Sequence, residues 1–228
     1  MIGPNGAGKT TAFNMLTGVY QPSEGAITFC DAALCSAVKA LRPFQITRKG
    51  IARTFQNIRL FKELSVLDNV KIAFHQNVKY GLLSAFLHTA CYQAEEVEIE
   101  EKALDLLKIF ALETKKAEKA KNLPYGEQRR LEVARALATN PKLLLLDEPA
   151  AGMNPQETQQ LMDLISFIRK QFSLTILLIE HDMALVMGVC ERIYVLDYGK
   201  IIAHGIPAEI RRNPKVIEAY LGEESASA

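Results

Sequence analysis

A glycine-rich segment at residues 3–11 has the spacing of loops that bind nucleotide phosphates. Its sequence, GPNGAGKTT, matches the pattern GxxxxGK followed by Ser or Thr. Glycines in such a loop allow backbone N–H groups to surround phosphate oxygens at a helix N-terminus. The Lys9 ammonium is expected to reach the β and γ phosphates, and the Thr10 hydroxyl to bind Mg²⁺. The predicted phosphate-binding residues are Gly3, Pro4, Asn5, Gly6, Ala7, Gly8, Lys9, Thr10 and Thr11.

Two consecutive carboxylates follow an apolar run later in the chain. Residues 143–148 are LLLLDE, which predicts a buried strand that ends at Asp147 and Glu148. Open α/β sheets bind ligands at the carboxyl ends of their strands. We expect Asp147 to hold Mg²⁺ through its water shell, and Glu148 to orient and polarise an attacking water. A strand end with a solvated acidic turn is the alternative interpretation, and the phosphate loop favours the catalytic one.

Hydrophobic periodicity indicates which elements position these residues. Continuous apolar strands joined by amphipathic helices imply a mostly parallel sheet that is covered on both faces. Between residues 66 and 123 the chain is rich in Glu, Lys, Leu and Ala, which predicts an inserted helical subdomain with Ala103, Leu106, Leu107 and Phe110 on one side of a helix. The other predicted elements are a helix over 9–17, strands over 25–29, 48–55 and 174–179, a helix after an Asn154 cap, a hairpin over 193–204 and two C-terminal helices.

Composition limits the classes of partner. The 228-residue chain is 49% apolar, enough for one sizeable domain with a smaller subdomain. Its 27 basic and 26 acidic residues give a formal charge of +1, which argues against a broad surface for nucleic acid. The four cysteines match no paired metal motif, which favours a reducing cytosol. The apolar runs are shorter than the roughly 18 residues of a membrane-spanning helix, so membrane association is expected through a partner.

Three further segments, which stand along the chain in the order that the family has, resemble motifs of the ABC ATPases. Residues 123–130, LPYGEQRR, are similar to the family's signature, which opens a helix that faces the γ-phosphate held by the opposite subunit. Gln56 stands where the family has a glutamine that contacts Mg²⁺, and His181 stands where it has the switch histidine that bonds the γ-phosphate. The resemblance implies nucleotide contacts from Gln56, Tyr125, Gly126 and Glu127, metal contacts from Thr10, Gln56 and Asp147, and catalytic roles for Lys9, Glu148 and His181.

The chain also departs from the family pattern. Pro124, Tyr125 and Glu127 replace a serine, a glycine and a glutamine of the general signature, so the contact with the opposite nucleotide is expected to rest on backbone groups near Gly126. Asn154 replaces an aspartate in the loop after the paired carboxylates. Family members begin with additional strands that carry an aromatic residue for stacking on adenine, so we expect this chain to be truncated at its N-terminus.

The resemblance covers essentially the whole chain and predicts an α/β fold, that of a P-loop NTPase of the ABC type with a mostly parallel sheet and an inserted α-helical subdomain. Four regions are expected. Residues 1–65 form the first part of the phosphate-loop core, and residues 66–140 form the helical subdomain that ends in the signature helix. Residues 141–205 form the second part of the core, with the paired carboxylates and the switch histidine, and residues 206–228 form C-terminal helices.

Several segments, among them residues 54–61 and 148–155, look like the ATPase subunits of bacterial branched-chain amino acid importers. The resemblance implies ATP and Mg²⁺ as ligands, membrane-spanning permease subunits, a second and related ATPase subunit, an indirect link to a periplasmic or extracellular solute-binding protein, and a peripheral position at the cytoplasmic face of the plasma membrane. An ATPase for lipopolysaccharide export or another solute, and an inactive truncated fragment, remain alternatives. A soluble ABC protein acting on ribosomes or DNA would carry two cassettes or a long coiled-coil insertion, and the sequence has neither.

One apolar group has two interpretations. Phe74, Leu82, Leu83, Phe86 and Leu87 are predicted either to contact a permease or to form the core of the helical subdomain, and the core is the preferred interpretation.

Overall fold

A computed structural model describes residues 1–30, 32–36 and 41–226, with the side chains of all of these except residues 32, 36, 77, 82 and 221–226. The helices are α1 (Lys9–Leu16), α2 (Pro43–Arg48), α3 (Val66–Phe74), α4 (Leu82–Phe86), α5 (Ala90–Ile109), α6 (Tyr125–Leu137), α7 (Pro155–Gln171), α8 (Met183–Val189), α9 (Pro207–Ile210) and α10 (Pro214–Ala226). The strands are β1 (Ala26–Phe29), β2 (Ala32–Ser36), β3 (Ile51–Arg53), β4 (Leu143–Asp147), β5 (Thr175–Ile179), β6 (Ile193–Asp197) and β7 (Lys200–Gly205).

The central sheet is parallel, in the order β3-β4-β5. Residues 1 and 2 connect this sheet to the antiparallel hairpin of β6 and β7, because the Met1 amino group donates to the Leu178 carbonyl and Ile2 forms a parallel bridge with Val195. A second antiparallel pair is formed by β1 and β2. The predicted α/β class with a parallel sheet and a helical portion is therefore confirmed, as is the predicted hairpin.

Strand β4 is buried on both faces, as its uninterrupted apolar sequence predicts. Leu144 and Leu146 pack into the largest hydrophobic cluster, which includes α3, α5, α6 and α7. Leu145, on the opposite face, packs with Phe13 of α1 and Ile46 of α2. Because alternate side chains of a strand point to opposite faces, one strand anchors both helical layers. The carboxylates at its end thus directly follow three fully buried leucines, residues 144–146.

The helices between β3 and β4 share one core with the sheet. Helices α5 and α6 both pack against α3, and the predicted stripe of Ala103, Leu106, Leu107 and Phe110 is buried. The core interpretation is wrong for Leu83, Phe86 and Leu87, whose exposures are 79%, 82% and 68%. Helix α4 has only five residues, and the helix that it packs against is α5. The side chains of Leu83, Phe86 and Leu87 therefore remain exposed. Phe74 packs against the core, and the Leu82 side chain lies outside the described part of the chain.

The predicted strand over 48–55 is confirmed for residues 51–53, and its predicted bounds are too wide. Pro43 begins α2, which continues to Arg48, and strand pairing extends only over the three residues of β3. Gly50 has φ 97° and ends the helix in the left-handed conformation that glycine adopts without strain. After β3, the Thr54 N–H still donates to the Leu145 carbonyl, and the chain then leaves the sheet toward Gln56. The six residues of α2 are too few to show the repeating hydrophobic pattern that indicates a helix in a sequence.

Helix α7 begins as its sequence predicts. The Asn154 side chain accepts from the Glu157 N–H at 2.9 Å, and the Glu157 carboxylate accepts from the Asn154 N–H at 2.9 Å. This reciprocal capping satisfies two N–H groups that a helix N-terminus otherwise leaves without partners. Asn154, which replaces an aspartate of the family pattern, therefore still fixes the start of the helix.

Among the helices of the described residues, none combines the length and the apolar composition that a membrane span requires.

Candidate active site

The glycine-rich loop leads directly into α1. A Cβ added at Gly3 would lie 2.1 Å from the Leu196 carbonyl oxygen of β6, so only glycine fits there. Gly8, with φ 95°, turns the chain into the first residue of α1. Pro4 and Ala7 are buried, whereas Asn5 and Gly6 are exposed at the rim of the loop. The segment therefore forms a tight turn at the N-terminus of a helix, which is the geometry that binds anions.

Lys9 places its charge inside this turn. The side chain is buried, and its ammonium donates to the Gly3 carbonyl at 2.8 Å and to the Pro4 carbonyl at 2.9 Å. Thr10 and Thr11 are exposed on the first turn of α1. A cation and a helix N-terminus at the same turn favour a polyanionic ligand. The arrangement fits the phosphate chain of a nucleotide.

Gln56, Glu148 and His181 come together although they are far apart in sequence. The Gln56 amide Nε2 donates to Glu148 Oε2 at 2.7 Å, and His181 Nε2 lies 2.8 Å from Glu148 Oε1. The Glu148 side chain is only 17% exposed, whereas His181 and Gln56 are exposed. The structure therefore brings together the predicted water-activating carboxylate, the switch histidine and the metal-contacting glutamine. A carboxylate held from both sides has one orientation, which a general base needs.

The backbone of Glu148 is strained at this point. Its φ of 47° lies in the left-handed region, which is uncommon for a residue with a side chain. The Glu148 N–H donates to the Ile179 carbonyl at the end of β5, at 2.9 Å. This bond ties the turn after β4 to the neighbouring strand, and the turn aims the carboxylate toward His181.

Asp147 has a partner that the sequence analysis did not single out. Arg53, the last residue of β3, lies 2.6 Å from Asp147 Oδ2, and both side chains are about 5% exposed. The same guanidinium donates to Asn14 Oδ1 at 2.8 Å and to Thr17 Oγ1 at 3.2 Å. Arg53 therefore links the end of β4 to α1. The sequence feature that could have pointed to Arg53 is its position three residues before Gln56.

The signature segment forms the start of α6. Tyr125 is exposed, while Gly126 and Glu127 are half-buried. The Glu127 carboxylate is paired with Lys115 at 2.6 Å, within the same subunit. A Cβ added at Gly126 would lie 3.2 Å from Glu157 Oε1, so the backbone passes close to the start of α7. The Tyr125 ring and the backbone at Gly126 are therefore available to contact a nucleotide on an opposite subunit. The Glu127 side chain can make such a contact only if its ion pair with Lys115 breaks.

Arg129, one turn into α6, is a second residue that sequence reasoning missed. It is fully buried and donates to the Phe55 carbonyl at 2.6 Å and to the Gln56 carbonyl at 2.7 Å. It also pairs with Glu132, whose other oxygen accepts from the Arg59 N–H. The helix that begins with the signature thus holds the backbone on both sides of the Gln56 side chain.

The oxygen atoms of the three side chains predicted to bind the metal suit Mg²⁺. Hydroxyl, amide and carboxylate oxygens of Thr10, Gln56 and Asp147 are the hard donors that this ion prefers. Among the described residues, no group of three or more His, Cys, Asp and Glu side chains could hold a metal by itself. Mg²⁺ is usually bound by one or two protein groups together with substrate phosphates, so the residues fit a metal that arrives with the nucleotide.

Comparisons with known proteins place this geometry in a family. The family described as ABC transporter matches residues 1–151, and the one described as branched-chain amino acid ATP-binding cassette transporter matches residues 200–226. The chain is 50% identical to the high-affinity branched-chain amino acid transport ATP-binding protein LivG of Salmonella typhimurium, over 98% of this chain and 86% of that protein.

Two solved structures are similar. The crystal structure of the ADP conformation of MJ1267, an ATP-binding cassette of an ABC transporter, has a TM-score of 0.80 and 32% identity over 97% of this chain and 86% of that chain. The dimeric post-hydrolysis structure of the ATP-binding cassette MJ0796, bound to ADP and Pi, has a TM-score of 0.72 and 25% identity over 90% of this chain and 83% of that chain. With these matches and the geometry above, the chain belongs to the family of ATP-binding subunits of ABC transporters.

Proposed function

We propose that this chain hydrolyses ATP as one of a pair of subunits and thereby energises the import of branched-chain or related hydrophobic amino acids. The observation that carries the proposal is the contact of Glu148 with both Gln56 and His181, together with the burial of Lys9 in the phosphate loop. The identity to LivG and the match of residues 200–226 favour this solute class over lipopolysaccharide or another solute.

Each residue has a defined task in this mechanism. Lys9 and the N–H groups of residues 3–11 bind the phosphates. Glu148 orients a water and accepts its proton as the water attacks the γ-phosphorus, and the bond from that phosphorus to the β,γ-bridging oxygen breaks, which releases ADP and phosphate. His181 and Lys9 stabilise the charge on the transferred phosphoryl group. Thr10, Gln56 and Asp147 would hold Mg²⁺, which would supply neutralisation of the phosphate charge when bound.

Pairing completes the site. Tyr125, Gly126 and Glu127 of one subunit would cover the nucleotide held by residues 3–11 of the other, with a related heterologous subunit as the expected second copy. The dimeric MJ0796 structure supports pairing as a mode of assembly for such cassettes. Membrane-spanning permease subunits would hold the pair peripherally at the cytoplasmic face of the plasma membrane, with a solute-binding protein on the opposite side. Residues 66–140 are the proposed subdomain that transmits closure to the permease.

ATP binding by a Lys9→Ala variant tests the nucleotide assignment. Removing the ammonium removes charge-assisted hydrogen bonds, which contribute about 1.5–3 kcal/mol each, so we expect ATP affinity to fall about 10- to 100-fold. The measurement is a titration with ATP and Mg²⁺, followed by Mg²⁺-dependent hydrolysis. Lys102→Ala is the matched control, because Lys102 is exposed and pairs with Glu98 on the same face of α5. Equal affinity in the two variants would remove Lys9 from the site.

The exposed apolar side chains of Leu83, Phe86 and Leu87, here called the α4 patch, support a permease contact. Large exposed apolar groups that lie together mark interaction surfaces, and anchors of this kind contribute most of the binding energy at an interface. We expect the double variant Leu83→Ser, Phe86→Ser to lose at least about tenfold in affinity for the permease. Its ATP hydrolysis in isolation should equal that of the unmodified chain.

The measurement for the α4 patch is co-purification and titration with reconstituted permease subunits. Val97→Ser, at a 58% exposed position of α5, is the control for a general loss of apolar surface. Undiminished assembly of the double variant would assign the permease contact to another surface.

A further inference from the structure

The carboxylate of Glu180 lies buried between the two loops that carry the catalytic side chains. Glu180 directly follows β5 and is 4% exposed. Its Oε1 accepts from the Ala150 N–H at 2.8 Å, and its Oε2 accepts from the His181 N–H at 2.9 Å and the Asp182 N–H at 3.3 Å. Within the described residues, no cationic side chain lies within 4.0 Å of it, so these N–H groups compensate its charge.

The groups that Glu180 holds are close in sequence to the reacting groups. Ala150 lies two residues after Glu148 in the turn that follows β4, and His181 is the next residue after Glu180. The contact between Glu148 Oε1 and His181 Nε2 thus joins two side chains whose loops are both tied to one carboxylate, through the Ala150 N–H in one loop and the His181 N–H in the other. The Glu148 N–H also donates to the Ile179 carbonyl, which closes the connection on the other side.

The same carboxylate fixes the start of the next helix. Asp182, which donates its N–H to Glu180, accepts from the N–H groups of Ala184 and Leu185 and so caps α8. The loop that carries His181 is therefore held at Glu180 on one side and at a capped helix on the other. Two oxygens that serve three backbone donors allow little movement of one loop relative to the other.

We propose that Glu180 is a positioning residue, which keeps Glu148 and His181 in register by bonding the backbones of both their loops. The proposal rests on the proposed function, because it concerns the same hydrolytic site. Both Glu180 oxygens are engaged by backbone N–H groups. The action of Glu180 on the reaction passes through the 2.8 Å contact between His181 and Glu148.

Glu180→Gln tests the proposal with little change in shape. A glutamine offers one acceptor oxygen and one NH₂ group, so it must direct a donor at either Ala150 or the pair of His181 and Asp182. Misplacing a reacting group by about 1 Å lowers rates about 100-fold, so we expect kcat to fall about 10- to 100-fold while KM for ATP stays within about twofold. Glu95→Gln is the matched control, because Glu95, on α5, also accepts from two backbone N–H groups, those of Lys79 and Tyr80.

A double-mutant cycle with His181→Ala separates positioning from general destabilisation. If Glu180 acts through His181, the two losses in kcat will combine to less than their product. If the loss of kcat in the double variant equals the product of the two single losses to within about twofold, the proposal is overturned. If Glu180→Gln binds no ATP, Glu180→Thr is measured in its place, and failure of both variants to fold assigns Glu180 to stability alone and also overturns it.

Amide hydrogen exchange supplies a readout that does not depend on hydrolysis. In Glu180→Gln, the amide of Ala150 or of His181 should exchange at least about tenfold faster, while those of Lys79 and Tyr80 are unchanged; in Glu95→Gln the pattern reverses. Unchanged exchange at both Ala150 and His181 overturns the proposal. An unmodified chain that shows protected amides but no Mg²⁺-dependent hydrolysis would instead contradict the proposed function.

Discussion

Replacing Glu148 by Gln is expected to lower kcat about 10²- to 10⁴-fold while leaving ATP binding within about twofold, which makes it the largest expected effect on turnover. The substitution keeps the size of the side chain. One amide oxygen can still accept from Gln56 Nε2 or contact His181, so the packing around residue 148 changes little. What is lost is the second acceptor oxygen and the ability to take a proton from the attacking water. The measurement is single-turnover hydrolysis beside equilibrium binding of ATP with Mg²⁺.

The control for Glu148→Gln is Glu191→Gln, which makes the same chemical change at a 75% exposed carboxylate that pairs with Arg169. We expect normal turnover from that variant, because exposed ion pairs contribute little to stability and Glu191 contacts no residue of the site. The role assigned to Glu148 predicts an ATP-occupied closed pair in the Gln variant, visible as a dimer by size-exclusion chromatography. Turnover at the unmodified rate would remove the water-activating role from this carboxylate.

The side chains that we propose carry the chemistry could be named from the sequence, because the proposed chemistry fixes both residue type and spacing. Lys9 follows a glycine loop, and Glu148 follows an apolar strand that only a sheet interior accommodates. Gln56 and His181 were found by resemblance, because a single glutamine or histidine has no local signature. Their contacts with Glu148 could not be predicted in detail, since they depend on how three separate segments meet at one edge of the sheet.

The residues that hold these side chains in place could not be predicted from sequence, because arginine and glutamate are usually exposed. Arg53 lies three residues before Gln56, and Glu180 directly precedes His181. The local sequence does not indicate that Arg53 pairs with Asp147, or that Glu180 accepts hydrogen bonds from two loops. The α4 patch was misjudged for the related reason that apolar residues in a helical region are normally buried. Its exposure follows from the shortness of α4, which the sequence pattern did not reveal.

Arg129 carries the prediction with the largest expected effect on stability. Its guanidinium is fully buried against Glu132, which is 2% exposed, and it donates to the carbonyls of Phe55 and Gln56. Arg129→Met would leave a buried carboxylate without its cation and two carbonyls without donors. Breaking a buried pair from one side costs about 3–5 kcal/mol, so we expect the free energy of unfolding to fall by that amount. Urea titration of the unmodified and variant chains measures the difference.

A second substitution should reverse part of this loss, which distinguishes an uncompensated charge from lost packing. In Arg129→Met, Glu132→Gln the residue at 132 is neutral but keeps an oxygen that can accept from the Arg59 N–H. Because the penalty of a buried unpaired charge disappears, the double variant should be more stable than the single one by about 1–3 kcal/mol. Arg169→Met, at an exposed pair, should cost less than about 1 kcal/mol. A double variant less stable than Arg129→Met would mean that Arg129 stabilises α6 through packing and the two carbonyls, and that its pairing with Glu132 contributes little.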